Sequence, residues 1–127
     1  MRPTRKVVCI EDDIEIQDIE TIILNDTPGV ETISAFNGYD GLEAVQNHKP
    51  DLVLLDLLLP GMNGWDVYAR IRADENLRHT PVIVVSCCPR QVANALHDNL
   101  TGIQGYVSKP FSVADLRAAV DRVLEPM

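Results

Sequence analysis

Three short apolar runs, Val7-Val8-Cys9-Ile10, Leu52-Val53-Leu54-Leu55 and Val82-Ile83-Val84-Val85, constrain this chain more than any other feature. A strand with one face in water alternates apolar and polar side chains. These runs do not alternate, so as strands they must be covered on both faces. That calls for helices above and below a parallel sheet. The rest of the sequence supplies them. Lys6–Ile10, Val30–Ala35, Leu52–Leu55, Val82–Val85 and Gly105–Val107 read as five strands, each followed by a segment of helical period. In the first such segment Ile16, Ile19, Ile22 and Ile23 form the expected inward stripe, ended by Thr27-Pro28-Gly29. Gly41–Asn47 predicts a second helix with Leu42 and Val45 inward, and Trp65, Val67, Tyr68 and Ile71 mark a third. Val92–Leu100 predicts the fourth. Ser112–Leu124 predicts the fifth, with Ser112 and Asp115 at capping-box spacing and Val113, Leu116, Val120, Val123 and Leu124 inward.

Five βα units in 127 residues predict an α/β fold, a flavodoxin-like three-layer (βα)5 sandwich around a five-stranded parallel sheet of order 2-1-3-4-5. One domain, residues 1–127, is expected. Nineteen acids against eleven bases give a net charge of −8, which argues against direct nucleic-acid binding, and the longest apolar stretch, Leu52 to Leu59, is broken by Asp56 and far short of a membrane span. Three cysteines without Cys-x-x-Cys spacing fit neither a disulfide scaffold nor a zinc module. The apolar run behind the basic start is too short for a signal peptide, so a cytoplasmic protein is expected. His48, His79 and His97 lack metal-ligand spacing and are expected on the surface, and Cys9 in the core.

Chemistry collects at the strand exits. The first strand runs into Glu11-Asp12-Asp13, the third into Asp56, the fourth into Ser86, and the fifth reaches Lys109 two residues after Val107. In a parallel sheet these exits share one edge, around the crevice where strand order reverses. Singly, each residue has an ordinary structural explanation: Asp12 or Asp13 as a helix N-cap, Ser86 as a turn former, Lys109 as a solvated charge. Asp56 is different, because it interrupts an apolar run and an unpartnered buried carboxylate is costly. Crowded acids repel one another unless a cation intervenes, and hard oxygen donors with room for water suit Mg²⁺. A carboxylate nucleophile beside such a cation, an ammonium and a hydroxyl is equipped to accept a phosphoryl group.

These residues resemble the receiver domain of two-component response regulators over essentially the whole chain. The resemblance rests on Val7-Val8-Cys9-Ile10-Glu11-Asp12-Asp13, on Pro50 through Gly64 around Asp56, on Pro81-Val-Ile-Val-Val-Ser86, and on Gly105-Tyr106-Val-Ser-Lys109-Pro110-Phe111. It implies that Asp56 is the phosphoacceptor. Glu11, Asp12, Asp56 and the carbonyl of Leu58 would hold Mg²⁺, with Asp13 as a supporting or capping residue. Ser86 and Lys109 would bind the phosphoryl group, Tyr106 would act as the aromatic switch, and a cis bond would precede Pro110. The implied partners are a sensor histidine kinase or phosphotransfer protein as donor. The output would be a protein target on the face formed by the fourth helix, fifth strand and fifth helix; phosphorylation-dependent homodimerisation stays open. The implied role is a signalling phosphoacceptor and not a turnover enzyme.

Leu58 and Cys88 occupy the two variable positions flanking the phosphoryl group. Neither orients a hydrolytic water well, so slow self-dephosphorylation is expected. Cys87 stands where such domains commonly carry Ala or Gly, and the pair Cys87-Cys88 is expected to be buried and inert. A flavin- or nucleotide-binding relative would need a phosphate cradle after the first strand, where Glu11-Asp12-Asp13 would repel phosphate. A phosphatase using an aspartyl-phosphate would typically carry a second Asp at position 58, and a pseudo-receiver would have lost some of these acids.

Overall fold

A computed structural model describes residues 4–96, 100 and 102–124 of the chain. Its strands are β1 (Arg5–Ile10), β2 (Val30–Ala35), β3 (Leu52–Leu55), β4 (Val82–Ser86) and β5 (Gly105–Ser108). Its helices are α1 (Ile14–Asn25), α2 (Gly38–His48), α3 (Gly64–Ala73), α4 (Arg90–Leu96) and α5 (Val113–Leu124). The strands form one sheet in the order β2-β1-β3-β4-β5, and every pairing is parallel. The expected flavodoxin-like architecture is therefore present.

The apolar runs are buried on both sides, as their lack of alternation requires. Val8, Ile10, Val53, Leu55, Val82 and Val84 pack with Val45 of α2 and Trp65, Val67, Tyr68 and Ile71 of α3. Their neighbours Val7, Cys9, Leu52, Leu54, Ile83 and Val85 pack on the other face with Ile23 and Leu24 of α1 and Leu116, Val120 and Leu124 of α5. Each fully buried Val or Leu contributes roughly 1.5–3 kcal/mol, so this double-sided burial dominates the stability of the central strands. The edge strands β2 and β5 are only partly buried.

The register sets the site. Ile10 lies beside Leu55, and Asp56 N–H donates to the carbonyl of Ile10 at 3.0 Å, so Glu11 and Asp56 leave adjacent strand tips. Ser86 lies beside Ser108, and Lys109 N–H donates to the carbonyl of Ser86 at 2.9 Å.

The helices depart from expectation in particular ways. In α1 the inward residues are Gln17, Glu20, Ile23 and Leu24, while Ile14, Ile19 and Ile22 are exposed. Asp13 caps the helix, accepting from the N–H groups of Glu15 and Ile16, and the Gln17 amide is bonded to the sheet. These anchors turn the helix by about 100°, one residue step, from the isoleucine stripe. Helix α2 begins earlier than expected because Asn37 caps it, accepting from Asp40 N–H at 2.8 Å. In α5, Val113 is exposed while Leu116, Val120 and Leu124 are buried, since Val113 follows directly on Ser112, whose hydroxyl accepts from Asp115 N–H. His48 and His79 are exposed, whereas His97, with residues 98 and 99 of the expected fourth helix, lies outside the described residues. Among the described residues no helix is long and apolar enough to cross a membrane.

Candidate functional site

The β3–α3 connection presents Asp56. Leu57, Leu59 and Met62 are buried, while Leu58 between them is half exposed, so alternate side chains pin the loop over the core. Gly61 sits at φ +71°, in the left-handed region that favours glycine. Asn63 caps α3 by accepting from Asp66 N–H at 2.9 Å. Gly64 N–H donates to the carbonyl of Leu57 at 2.9 Å. A Cβ on Gly64 would lie 2.2 Å from the carbonyl oxygen of Asp56, so only glycine lets α3 start this close to the Asp56 backbone. The closeness of Gly64 to Asp56 is visible only in three dimensions.

Around Asp56 the predicted residues assemble. Glu11, Asp12 and Asp56 each offer a carboxylate oxygen, and these oxygens lie within 4.8 Å of one another. Asp56 is 4% exposed and Glu11 1%, while Asp12 is exposed. The Lys109 ammonium bridges the buried pair, at 2.5 Å from Glu11 Oε1 and 3.0 Å from Asp56 Oδ2. The other oxygens are held by the backbone. Asp56 Oδ1 accepts from Leu58 N–H at 3.1 Å, and Glu11 Oε2 from Asp13 N–H at 3.1 Å. The Asp13 carboxylate therefore caps α1, one of the two parts expected of it, while its backbone N–H holds Glu11. Ser86 is fully buried at the neighbouring strand tip, where its hydroxyl accepts from Cys88 N–H at 3.4 Å. The peptide between Lys109 and Pro110 is cis. Tyr106 is half buried, and its hydroxyl donates to the carbonyl of Cys88, tying β5 to the β4–α4 loop.

The electrostatics follow from two buried carboxylates sharing one ammonium. Burial pushes Glu11 up to about 7; the Lys109 hydrogen bond opposes this and the Asp56 charge adds to it. Burial alone would lower Lys109, but its bonds to Glu11 and Asp56 hold it above the usual lysine value. Burial, with the thiols of Cys88 and Cys87 and the Asp56 charge nearby, pushes Tyr106 up to about 12, so its hydroxyl keeps its proton. The site thus carries more acid than one cation neutralises, and its all-oxygen donor set fits a hard divalent ion such as Mg²⁺.

The thiols are split. Cys9 is fully buried in the core and Cys88 is buried, but Cys87 is exposed, contrary to the expectation that both vicinal thiols lie inside. Two residues escaped the sequence reading. Gln17 and Glu20 are buried on α1 although they are polar, and burial together with the nearby Glu11 charge pushes Glu20 up to about 8. Nothing in the sequence sets these two apart from the other polar residues of the helix, such as Glu15 and Asp18.

Comparisons with known proteins agree on one family. Residues 7–121 match the family model described as the response regulator receiver domain. The chain is 31% identical over 122 residues to chemotaxis protein CheY-3 of Vibrio cholerae, covering 94% of this chain and 92% of that protein. It is 35% identical over 108 residues to the polar-differentiation response regulator DivK of Brucella anthropi, covering 85% and 87% respectively. Among solved structures, the receiver domain of sensor histidine kinase PA1611 from Pseudomonas aeruginosa, described with a magnesium ion coordinated in its active-site cleft, superposes with a TM-score of 0.85. It is 24% identical and covers 97% of this chain and 99% of that one.

Proposed function

Since this chain belongs to the response regulator receiver domain family of two-component systems, we propose that it takes a phosphoryl group onto Asp56 in a Mg²⁺-dependent reaction. The observation that carries this reading is the position of Lys109 Nζ, between Glu11 Oε1 and Asp56 Oδ2, with Asp12 completing an oxygen cluster. Glu11, Asp12 and Asp56, with the backbone carbonyl of Leu58, would hold the ion. When bound, it supplies positive charge against the oxygens of the incoming phosphoryl group.

The chain's own residues do the rest. A carboxylate oxygen of Asp56 attacks phosphorus in line; a new O–P bond forms as the bond to the donor nitrogen or oxygen breaks, and the donor leaves with that electron pair. Lys109 pairs with Asp56 at rest and offers its ammonium to a phosphoryl oxygen afterwards. The Ser86 hydroxyl, at the next strand tip, donates to another phosphoryl oxygen. That bond draws the β4–α4 loop inward, and Tyr106, bonded to the Cys88 carbonyl of this loop, moves with it. The face of α4, β5 and α5 then favours a different protein partner, by as much as the phosphoryl group prefers one arrangement over the other. The donor is a sensor histidine kinase or phosphotransfer protein, and the domain acts as a signalling acceptor without turnover of a separate substrate.

The test is incubation with acetyl phosphate, read by intact mass. Wild type gains one phosphoryl group with Mg²⁺ present and none when the metal is chelated, and Asp56→Asn gains none. Equal labelling of Asp56→Asn and wild type would overturn the proposal.

A further inference from the structure

We propose that Gln17 is a positioning residue for the acidic site, its buried carboxamide setting the backbone from which Glu11 and Asp12 project. This rests on the reading that Glu11, Asp12 and Asp56 form a Mg²⁺ site. Gln17 is 2% exposed on the face of α1 that meets the sheet, where an aliphatic side chain would be the ordinary occupant. A buried amide costs stability unless it is bonded; here the nitrogen end is bonded, while Oε1 is buried without a hydrogen-bond partner. Its Nε2 donates to the carbonyls of Cys9 and Ala35, each at 2.8 Å, and shares a third contact at 3.3 Å with the carbonyl of Glu11.

Those three carbonyls define the end of the sheet at the site. Cys9 and Glu11 lie on the outgoing β1 segment, and Ala35 closes β2. Glu11 N–H also donates to Ala35, at 3.0 Å, so the amide reinforces the last backbone link between the two strands. The carbonyl of Glu11 belongs to the peptide joining Glu11 to Asp12. Holding that peptide plane fixes the directions in which two consecutive carboxylates leave the chain. The same residue closes the loop from the other side, because Gln17 N–H donates to the carbonyl of Asp13 at 2.9 Å. The acidic turn is thus held at both ends by one residue that touches neither carboxylate. Groups that orient metal ligands without touching the metal commonly tune affinity by about 10–100-fold.

The test compares Gln17→Met, of similar length but without a donor, with Ile23→Val, a core change on the same helix. Mg²⁺ binding to each folded protein is measured by titration calorimetry, beside urea unfolding. The proposal expects the Mg²⁺ dissociation constant of Gln17→Met to rise about tenfold. It expects Ile23→Val to bind as wild type does while losing stability. A Gln17→Met protein that is less stable but binds Mg²⁺ as wild type does would make Gln17 a structural residue only and overturn the proposal. Wild type failing to bind Mg²⁺ would overturn it together with the site reading, so the two failures are distinguishable. Should Gln17→Met not fold, the side-chain amide resonance of Gln17 in wild type decides. It must shift as Mg²⁺ saturates the site, and an unmoved resonance overturns the proposal.

Discussion

Glu20 offers a quantitative test of the electrostatics beneath the site. Its carboxyl is 1% exposed, Oε1 has no hydrogen-bond partner, and burial with the nearby Glu11 charge pushes its pKa up to about 8 from an ordinary 4.5. An acid whose native value is raised binds more protons folded than unfolded, so its contribution is fully present below pH 4.5 and is lost as pH rises towards 8. Each pH unit in that window costs about 1.4 kcal/mol. By pH 7 wild type is therefore about 3 kcal/mol less stable than a protein with a neutral group in the same place. Glu20→Gln is that protein, since an amide matches the protonated acid in size and charge. Urea unfolding at about pH 4, 7 and 8.5 should give nearly equal stabilities for the two proteins at the lowest pH and a widening advantage for Glu20→Gln above it, with unchanged m-values. In a domain of this size that advantage is a difference in Tm of about 10 °C at pH 7. Parallel stability profiles for the two proteins across the range would refute the reasoning.

Lys109→Gln removes the ammonium between Glu11 and Asp56 and leaves two buried carboxylates together. Unfolding in metal-free buffer above pH 7 should show a loss of about 3–5 kcal/mol, and labelling by acetyl phosphate should be strongly slowed; wild-type stability would contradict the pairing. Leu58 is half exposed and Cys88 buried, and neither can orient a water against an acyl phosphate. Leu58→Asn should shorten the phosphoryl lifetime, followed by intact mass after donor removal, and equal lifetimes would show that position 58 does not limit hydrolysis here.

What the sequence made legible was what depends on strand order and strand ends. Unbroken apolar runs in β1, β3 and β4 require cover on both faces, and once those strands are parallel neighbours Glu11, Asp56, Ser86 and Lys109 must share an edge. Rotation of a helix about its axis was less legible. Four isoleucines in α1 carry a helical period, yet Ile19 and Ile22 are exposed and Gln17 and Glu20 are buried. Apolar spacing cannot register an amide whose nitrogen finds its acceptors in three carbonyls that only the folded sheet presents. The vicinal thiols failed in a similar way, because which of Cys87 and Cys88 turns inward is set by the path of the β4–α4 loop and not by side-chain chemistry. The constraint on Gly64 is likewise set only by the fold, since the backbone it meets, that of Asp56, lies eight residues back in the chain.

The central claim is that Asp56 receives the phosphoryl group because Glu11, Asp12 and Lys109 surround it. Treating the labelled protein with borohydride reduces an aspartyl phosphate to homoserine, and peptide mass spectrometry then locates the altered residue. Homoserine at position 56 alone, dependent on Mg²⁺ during labelling, is the predicted result; homoserine at Asp12 or Asp13, or none anywhere, would contradict the account.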